Sequence, residues 1–159
     1  MSNTKPTTID AISVQPSRRG GYPDPYSERV RGRERRRIGD FFDLQNFGVN
    51  LTRLEPGSES ALLHTHTKQD ELIYILAGTP TLITESDETV MKPGMCAGFP
   101  AGGEAHHLIN QTDKDVVLLE IGDRPSGDMP IYPEDDLTLV ETGDGERFWS
   151  HKNGELYDP

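Results

Sequence analysis

From residue 47 to residue 122, apolar and polar positions alternate in short runs closed by Gly, Pro, Asp or Asn. A period of two over four to eight residues is the signature of a half-buried strand. The pattern predicts strands over residues 47–54, 60–67, 71–77, 81–84, 89–92, 95–99, 106–110 and 116–121. The first stops at the turn dipeptide Pro56-Gly57 and the third at Gly78. Beyond Gly122 the chain becomes acidic and Pro-rich, with further strands predicted over 137–140 and 147–151. Many short strands at near-regular spacing argue for an all-β antiparallel sandwich or barrel rather than an α/β sheet. Before this region, residues 1–25 carry little periodicity and read as an arm ending in the stiff Tyr-Pro-Asp-Pro-Tyr of residues 22–26. Residues 27–42 are read as a short helix or an extended basic segment. Gly32 and Gly39 weaken the helix by about 1 kcal/mol each if interior. The predicted organisation is an N-terminal arm and basic segment over 1–46, a barrel core over 47–122, and a C-terminal extension over 123–159 packing on the barrel.

Composition narrows this. A chain of 159 residues fits one domain with tails, and its Gly 16 and Pro 12 suit strands joined by turns. Met1-Ser-Asn-Thr-Lys-Pro lacks the apolar segment of a signal peptide, and no stretch of about 18 apolar residues exists to span a membrane. The single cysteine, Cys96, has no internal disulfide partner and is expected to pack as a small buried residue. A cytoplasmic location is the expectation. The net charge of −11 is uneven: residues 1–37 hold nine Lys/Arg against four Asp/Glu, and the remainder seven against twenty-three. An acidic body disfavours nonspecific contact with DNA or anionic lipid. The Arg33–Arg37 run has no interleaved aromatics and no zinc-finger or helix-turn-helix pattern beside it, so no nucleic-acid partner is expected. It is expected instead to pack on the acidic barrel or on a partner subunit. The acidic balance also suggests a ligand that is not strongly anionic, unless a metal or Arg53 compensates locally.

The candidate chemistry lies in His64, His66, Glu71 and His106. Residues i and i+2 of a strand share a face, so His64 and His66 can reach one ion. Glu71 follows a polar turn at the start of the next strand, where a hairpin-like return brings its carboxylate beside the rings. His106 opens a later strand, and barrel closure can place it opposite. Imidazole with one carboxylate suits Mn, Fe, Co, Ni, Cu or Zn. Four ligands in an octahedral sphere leave up to two positions for water or substrate, whereas a closed structural zinc site would favour cysteine.

These residues fall in two segments that resemble the paired motifs of the cupin superfamily. Gly57 to Gly78, GSESALLHTHTKQDELIYILAG, resembles the first motif, with one extra residue before His64. Gly94 to Asn110, GMCAGFPAGGEAHHLIN, resembles the second: Pro100, Gly102, His106 and Asn110 fill its places, again with one extra residue before the histidine. The spacing to Asn110 selects His106 over the adjacent His107. The resemblance covers residues 47–122 and implies a double-stranded β-helix, or jelly-roll barrel, commonly dimeric, with a metal held by His64, His66, Glu71 and His106. RRIGDFFDLQNFGVNLTRL, DMPIYPEDDL and FWSHKNGELY further resemble the opening and closing stretches of small single-domain bacterial cupins, a largely uncharacterised group associated with manganese. Manganese is accordingly the first-choice ion, with zinc, iron and nickel as alternatives.

Strand alternation places Leu62, Ile73 and Ile75 beside the ligands and Leu108 after His106, which makes a metal at the mouth of an apolar barrel. The expected function is a metal-dependent enzyme acting on a small oxygen-rich metabolite by isomerisation, decarboxylation, lyase chemistry or oxygenation. Tyr74, Glu104 and His107 are the candidate acid–base residues. Trp149 and Tyr74 are read as core or interface, and His151 as structural. Asn110 is expected to close a turn or orient the His106 strand. The competing readings are a noncatalytic binder of a sugar or carboxylate and a degenerate barrel kept for assembly. The expected partners are a small-molecule ligand and a second copy of the chain, with neither nucleic acid nor membrane.

Overall fold

The computed structural model of the chain describes residues 5–17 and 21–158. Residues 1–4 of the polar start, and Arg18 and Arg19 of the basic segment, lie outside the described residues. The elements run β1 (Arg33–Arg37), α1 (Ile38–Phe41), β2 (Phe47–Leu54), β3 (Thr65–His66), β4 (Glu71–Ala77), β5 (Thr81–Thr84), β6 (Glu88–Val90), β7 (Cys96–Phe99), β8 (His106–Ile109), β9 (Val116–Asp123), β10 (Pro130–Ile131), β11 (Thr138–Glu141) and β12 (Arg147–Ser150). Short 3-10 turns at Ala11–Ser13 and Tyr26–Val30 precede them.

One wall is a five-stranded antiparallel sheet in the order β1-β2-β9-β4-β7. Facing strands form two further sheets, β6-β5-β8 and β12-β11-β10-β3, which meet at a bridge between His64 and His106. Leu54, Ile73, Ile75, Met91, Leu108, Val116 and Leu118 pack between the walls as the main core. A second cluster of Leu62, Tyr132 and Leu137, flanked by Tyr22, Tyr26, Trp149 and Tyr157, fills the end built by the arm and the C-terminal strands. Leu62, Ile73, Ile75 and Leu108 are all buried, although Leu62 belongs to this second cluster.

The predicted strand over 60–67 is a strand only at Thr65–His66. Upstream, its backbone is held at isolated points: Ser60 N donates to Leu108 O and the Arg33 guanidinium donates to Ser60 O. The basic segment divides between both readings. Its middle pairs in register with β2, Arg33 against Leu54, Arg35 against Thr52 and Arg37 against Asn50. The short helix α1 follows.

Cys96 is exposed rather than buried. It pairs with Tyr74 on the outer face of the five-stranded sheet, where Leu72 and Leu76 are also exposed. The apolar run that suggested a buried position has an outward row as well as an inward one. No helix among the described residues is long and apolar enough to cross a membrane.

Candidate active site

Register across the five-stranded sheet stacks its inward side chains in rows. Gly48, Gly122, Glu71 and Phe99 form one row; Arg37, Asn50, Glu120 and Ile73 form the next; Arg35, Thr52, Leu118 and Ile75 form a third. Gly48 and Gly122 contribute no side chain, and the Arg124 guanidinium and the Gln69 amide pack into the space beside Glu71 that they leave. This space belongs to a cavity of about 420 Å³ whose lining includes His64, His66, Glu71, His106, Glu120, Tyr132 and Trp149.

Three imidazoles converge on one carboxylate oxygen in that cavity. Glu71 Oε2 lies 3.6 Å from His64 Nε2, 3.6 Å from His66 Nε2 and 3.0 Å from His106 Nε2. Ligand atoms of His64, His66 and Glu71 all fall within 4.8 Å of one another. Each ring is oriented from behind through its other nitrogen. His64 Nδ1 meets Leu62 O at 2.8 Å, His66 Nδ1 meets Asp128 Oδ2 at 2.6 Å and His106 Nδ1 meets Glu104 O at 3.4 Å. Such outer contacts fix the tautomer and aim the Nε2 lone pair inward. Phe99 stacks on His106 with ring centroids 3.4 Å apart and planes within 1°, which locks the ring's tilt. Burial alone would raise the Glu71 carboxyl, but hydrogen bonds from His106 and His64 and the charges of His64 and His66 outweigh it and hold the acid well below its usual range. An ionised carboxylate amid inward-facing nitrogen donors is a donor set that fits a divalent transition metal.

The β1 edge of the same sheet makes one side of the cavity cationic. Arg33, Arg35, Arg37 and Arg124 all line it, despite the acidic charge of the whole chain. The expectation of a ligand that is not strongly anionic drew on net charge, and the arginines lining the cavity make its local charge differ from that of the whole chain. Arg53 contributes nothing here, since it meets Asp115, Glu34 and Glu55 on the outside. Arg33 is the deepest. Burial and the like charge of Arg35 lower it to about 10, so it remains a cation at neutral pH. For Arg35, burial also lowers the pKa, but Glu120 at 2.9 Å more than offsets it. At the mouth, Asp40 sits between Arg37 and Arg124. Burial pushes the Tyr132 phenol far above its usual range, so Tyr132 serves as a neutral hydroxyl.

The acid–base candidates read from the sequence are not brought to the cavity. Tyr74 lies on the outer face of the sheet, and Glu104 is exposed with its carboxylate toward Ser86 and Thr84. His107 is buried behind the site, with Nδ1 3.0 Å from Ala61 O and 3.3 Å from Glu59 Oε2. Glu59 in turn accepts from Arg29, which also pairs with Asp135, so this network ties the arm to the barrel. Burial would raise the Glu59 carboxyl, yet hydrogen bonds from His107 and Arg29 hold it below its ordinary 4.5. A depressed folded-state pKa contributes stability that is complete above the ordinary value and lost as pH falls through the folded one. Glu59→Gln is therefore expected to cost about 1–2 kcal/mol at neutral pH and to flatten the acid limb of stability. Urea titrations across the acid range check this; an unchanged slope would count against the network.

Asn110 closes the turn before β9: its Nδ2 donates to Leu54 O and Lys114 O, and its Oδ1 accepts from Thr112. His151 stacks on Tyr157 and meets Asp136, away from the rings of the site. Trp149, read as core or interface, lines the cavity. Sequence reasoning missed Glu120, Arg124, Asp128 and Tyr132. For Glu120 a signal existed: it continues the inward alternation of Val116 and Leu118, where a charged residue is out of place.

The cupin domain family model matches residues 50–122. A solved cupin described as a sugar phosphate isomerase, from Silicibacter pomeroyi, is 34% identical over 95% of this chain and 96% of its own, with a TM-score of 0.87. The chain belongs to the cupin superfamily. A second cupin-like structure, from Acidithiobacillus ferrooxidans and provisionally named a sugar phosphate isomerase, is 33% identical over 76% of this chain and 77% of its own, with a TM-score of 0.69. A predicted oxalate decarboxylase from Thermotoga maritima shares the fold at 20% identity, covering 75% of this chain and all of its own (100%), with a TM-score of 0.60. No curated protein matches the chain.

Proposed function

We propose that this cupin is a metal-dependent isomerase that interconverts the aldose and ketose forms of a small phosphorylated sugar. The observation that carries the reading is the pairing of a three-histidine, one-carboxylate cluster with a four-arginine wall inside one cavity. The near-full-length likeness to a sugar phosphate isomerase favours isomerisation over decarboxylation, lyase chemistry and oxygenation. His64, His66, Glu71 and His106 would hold the ion, manganese by first choice. When bound, a divalent ion supplies Lewis acidity toward a carbonyl and its neighbouring hydroxyl.

The remaining work falls to the chain. A volume of about 420 Å³ matches a small metabolite rather than a polymer. Arg37 and Arg124 at the mouth present forked donors suited to a phosphate dianion, and Asp40 preorganises both. Arg33 and Arg35 add positive potential deeper in, where burial weakens solvent screening. Tyr22, Tyr132 and Trp149 supply an aromatic side against which the carbon face of a sugar can rest.

The test is direct. Protein reconstituted with Mn²⁺ is offered aldose–ketose phosphate pairs and their unphosphorylated counterparts, with product followed by NMR. Turnover is expected for a phosphorylated pair, at least about 100-fold above the free sugar. Tight binding without turnover would replace this reading with a noncatalytic sugar-binding cupin, and indifference to the phosphate would overturn the substrate class. Within the same assay, Arg37→Ala and Arg124→Ala are each expected to raise KM about 10–100-fold with little change in kcat. That split follows because a charge-assisted contact remote from the reacting carbons is made equally in ground and transition states.

A further inference from the structure

We infer that Glu120 is the residue that moves the substrate proton between carbons, a role distinct from that of the metal-holding Glu71; this rests on the isomerase reading. Glu120 and Glu71 lie on neighbouring antiparallel strands. Glu71 pairs with Gly122 and Ile73 pairs with Glu120, so the two carboxylates are diagonal neighbours on one face. Diagonal positions stand about 7–8 Å apart, which leaves room for a carbonyl and its adjacent carbon between them. Both residues line the same cavity.

The surroundings of Glu120 leave one oxygen ready for such work. Thr52 Oγ1 donates to Oε2 at 2.9 Å, and Arg35 Nε stands 2.9 Å from that same oxygen. Among the described residues, Oε1 receives only a long contact, from Arg35 Nη2 at 3.4 Å. Oε2 is therefore the anchored end, and Oε1 is the end with an unspent lone pair. Arg35 Nε is itself buried against Oε2, so this guanidinium holds the anchored end of the carboxylate in place. Ile73, directly across the sheet, gives the carboxylate an apolar neighbour. Among the described residues lining the cavity, Asp40 is the remaining carboxylate. It lies on α1 and is engaged by Arg37 and Arg124 at the mouth.

The step balances without any further reactant. Glu120 takes the proton from the carbon next to the carbonyl, and the C–H electron pair becomes the C=C bond of an enediolate. The carbonyl oxygen gains a proton while the neighbouring hydroxyl gives one up. The Glu120 carboxyl exchanges its proton with solvent and then delivers one to the former carbonyl carbon, and the C=O bond stands one carbon further along. Nothing is oxidised or reduced overall, and the carboxylate is regenerated.

The experiment is isomerisation in D₂O with the Mn²⁺-loaded full chain, alongside metal analysis and calorimetric binding of a sugar-alcohol phosphate that cannot react. Wild-type protein is expected to place solvent deuterium on the product carbon. Glu120→Gln is expected to lose about 10²–10⁴-fold in kcat while KM, metal content and analogue binding stay near wild type. Glu120→Asp, which keeps the carboxylate, should recover part of the rate. If E120Q leaves Arg35 buried without its partner and fails to fold, E120Q combined with Arg35→Met removes both charges and should show the same loss of kcat. Wild-type turnover with no deuterium in the product would overturn the assignment and leave the isomerase reading standing, as would an E120Q variant with undiminished rate and incorporation. An E120Q variant that only lowers Tm would mark Glu120 as a brace for Arg35 and overturn the assignment as well. No turnover by wild type on any phosphorylated pair would instead sink the isomerase reading, and this assignment with it.

Discussion

His106→Ala is expected to strip the protein of stoichiometric metal and to reduce turnover to background. His106 Nε2 makes the shortest approach to the shared Glu71 oxygen, 3.0 Å, and its side chain is 3% exposed. Changes to residues that merely orient a ligand typically cost 10–100-fold in metal affinity, so loss of a ligand should exceed about 100-fold. The damage extends beyond coordination. Phe99 would lose the ring it stacks on, and Glu71 would lose its closest hydrogen-bond partner in a buried setting. Elemental analysis after reconstitution and Mn²⁺ calorimetry check the result. A variant that still binds one ion per chain with wild-type affinity would remove His106 from the ligand set. The same measurements on His107→Ala provide the contrast, because that ring faces Ala61 O and Glu59 behind the site.

Gly78→Ala is expected to be the most destabilising single-methyl change in the barrel. Gly78 adopts φ +79°, the left-handed region that costs a side chain roughly 1–2 kcal/mol. Space is also lacking, since an added Cβ would fall 2.8 Å from Asp115 O and 2.9 Å from Val116 Cα. Those are backbone atoms of the loop and strand that close the main core, and they cannot step aside independently. Just before it, the β4–β9 register shifts between Ile75 and Ala77, so the chain has already absorbed one extra residue there. Strain and overpacking together predict a loss of about 2–4 kcal/mol, read as a lower midpoint in urea with an unchanged slope. A loss below about 0.5 kcal/mol would mean that the turn accommodates a side chain after all.

Period-two alternation was enough to place β2, β4 and β5, because each strand buries one face and shows the other to solvent. It misjudged residues 60–67, where side-chain hydrogen bonds to Ser60 and isolated bridges replace a continuous ladder. The same alternation put His64 and His66 on one side, since rings two apart on an extended chain share a face, while Glu71 and His106 rested on the intervening turn and on motif spacing. Acid–base chemistry was harder to read. Tyr74, Glu104 and His107 lie near the histidines along the chain, but a strand turns every second neighbour away from the cavity. Glu120 is distant from them in sequence and adjacent only through pairing of β9 with β4. The arginine run packs on the barrel, as its sequence suggests. Only the register of β1 on β2 shows that alternate members reach the cavity.

The segment matched by the cupin domain model, residues 50–122, contains His64, His66, Glu71, His106 and Glu120. Arg33, Arg35, Arg37 and Arg124 all fall outside it, as do Asp128, Tyr132 and Trp149. On the proposed reading, the side chains that would hold the ion and move the proton fall inside that segment, and the arginines that would read a phosphate fall outside it. Exchanging the flanking stretches would then change which substrate is accepted before it changed the reaction.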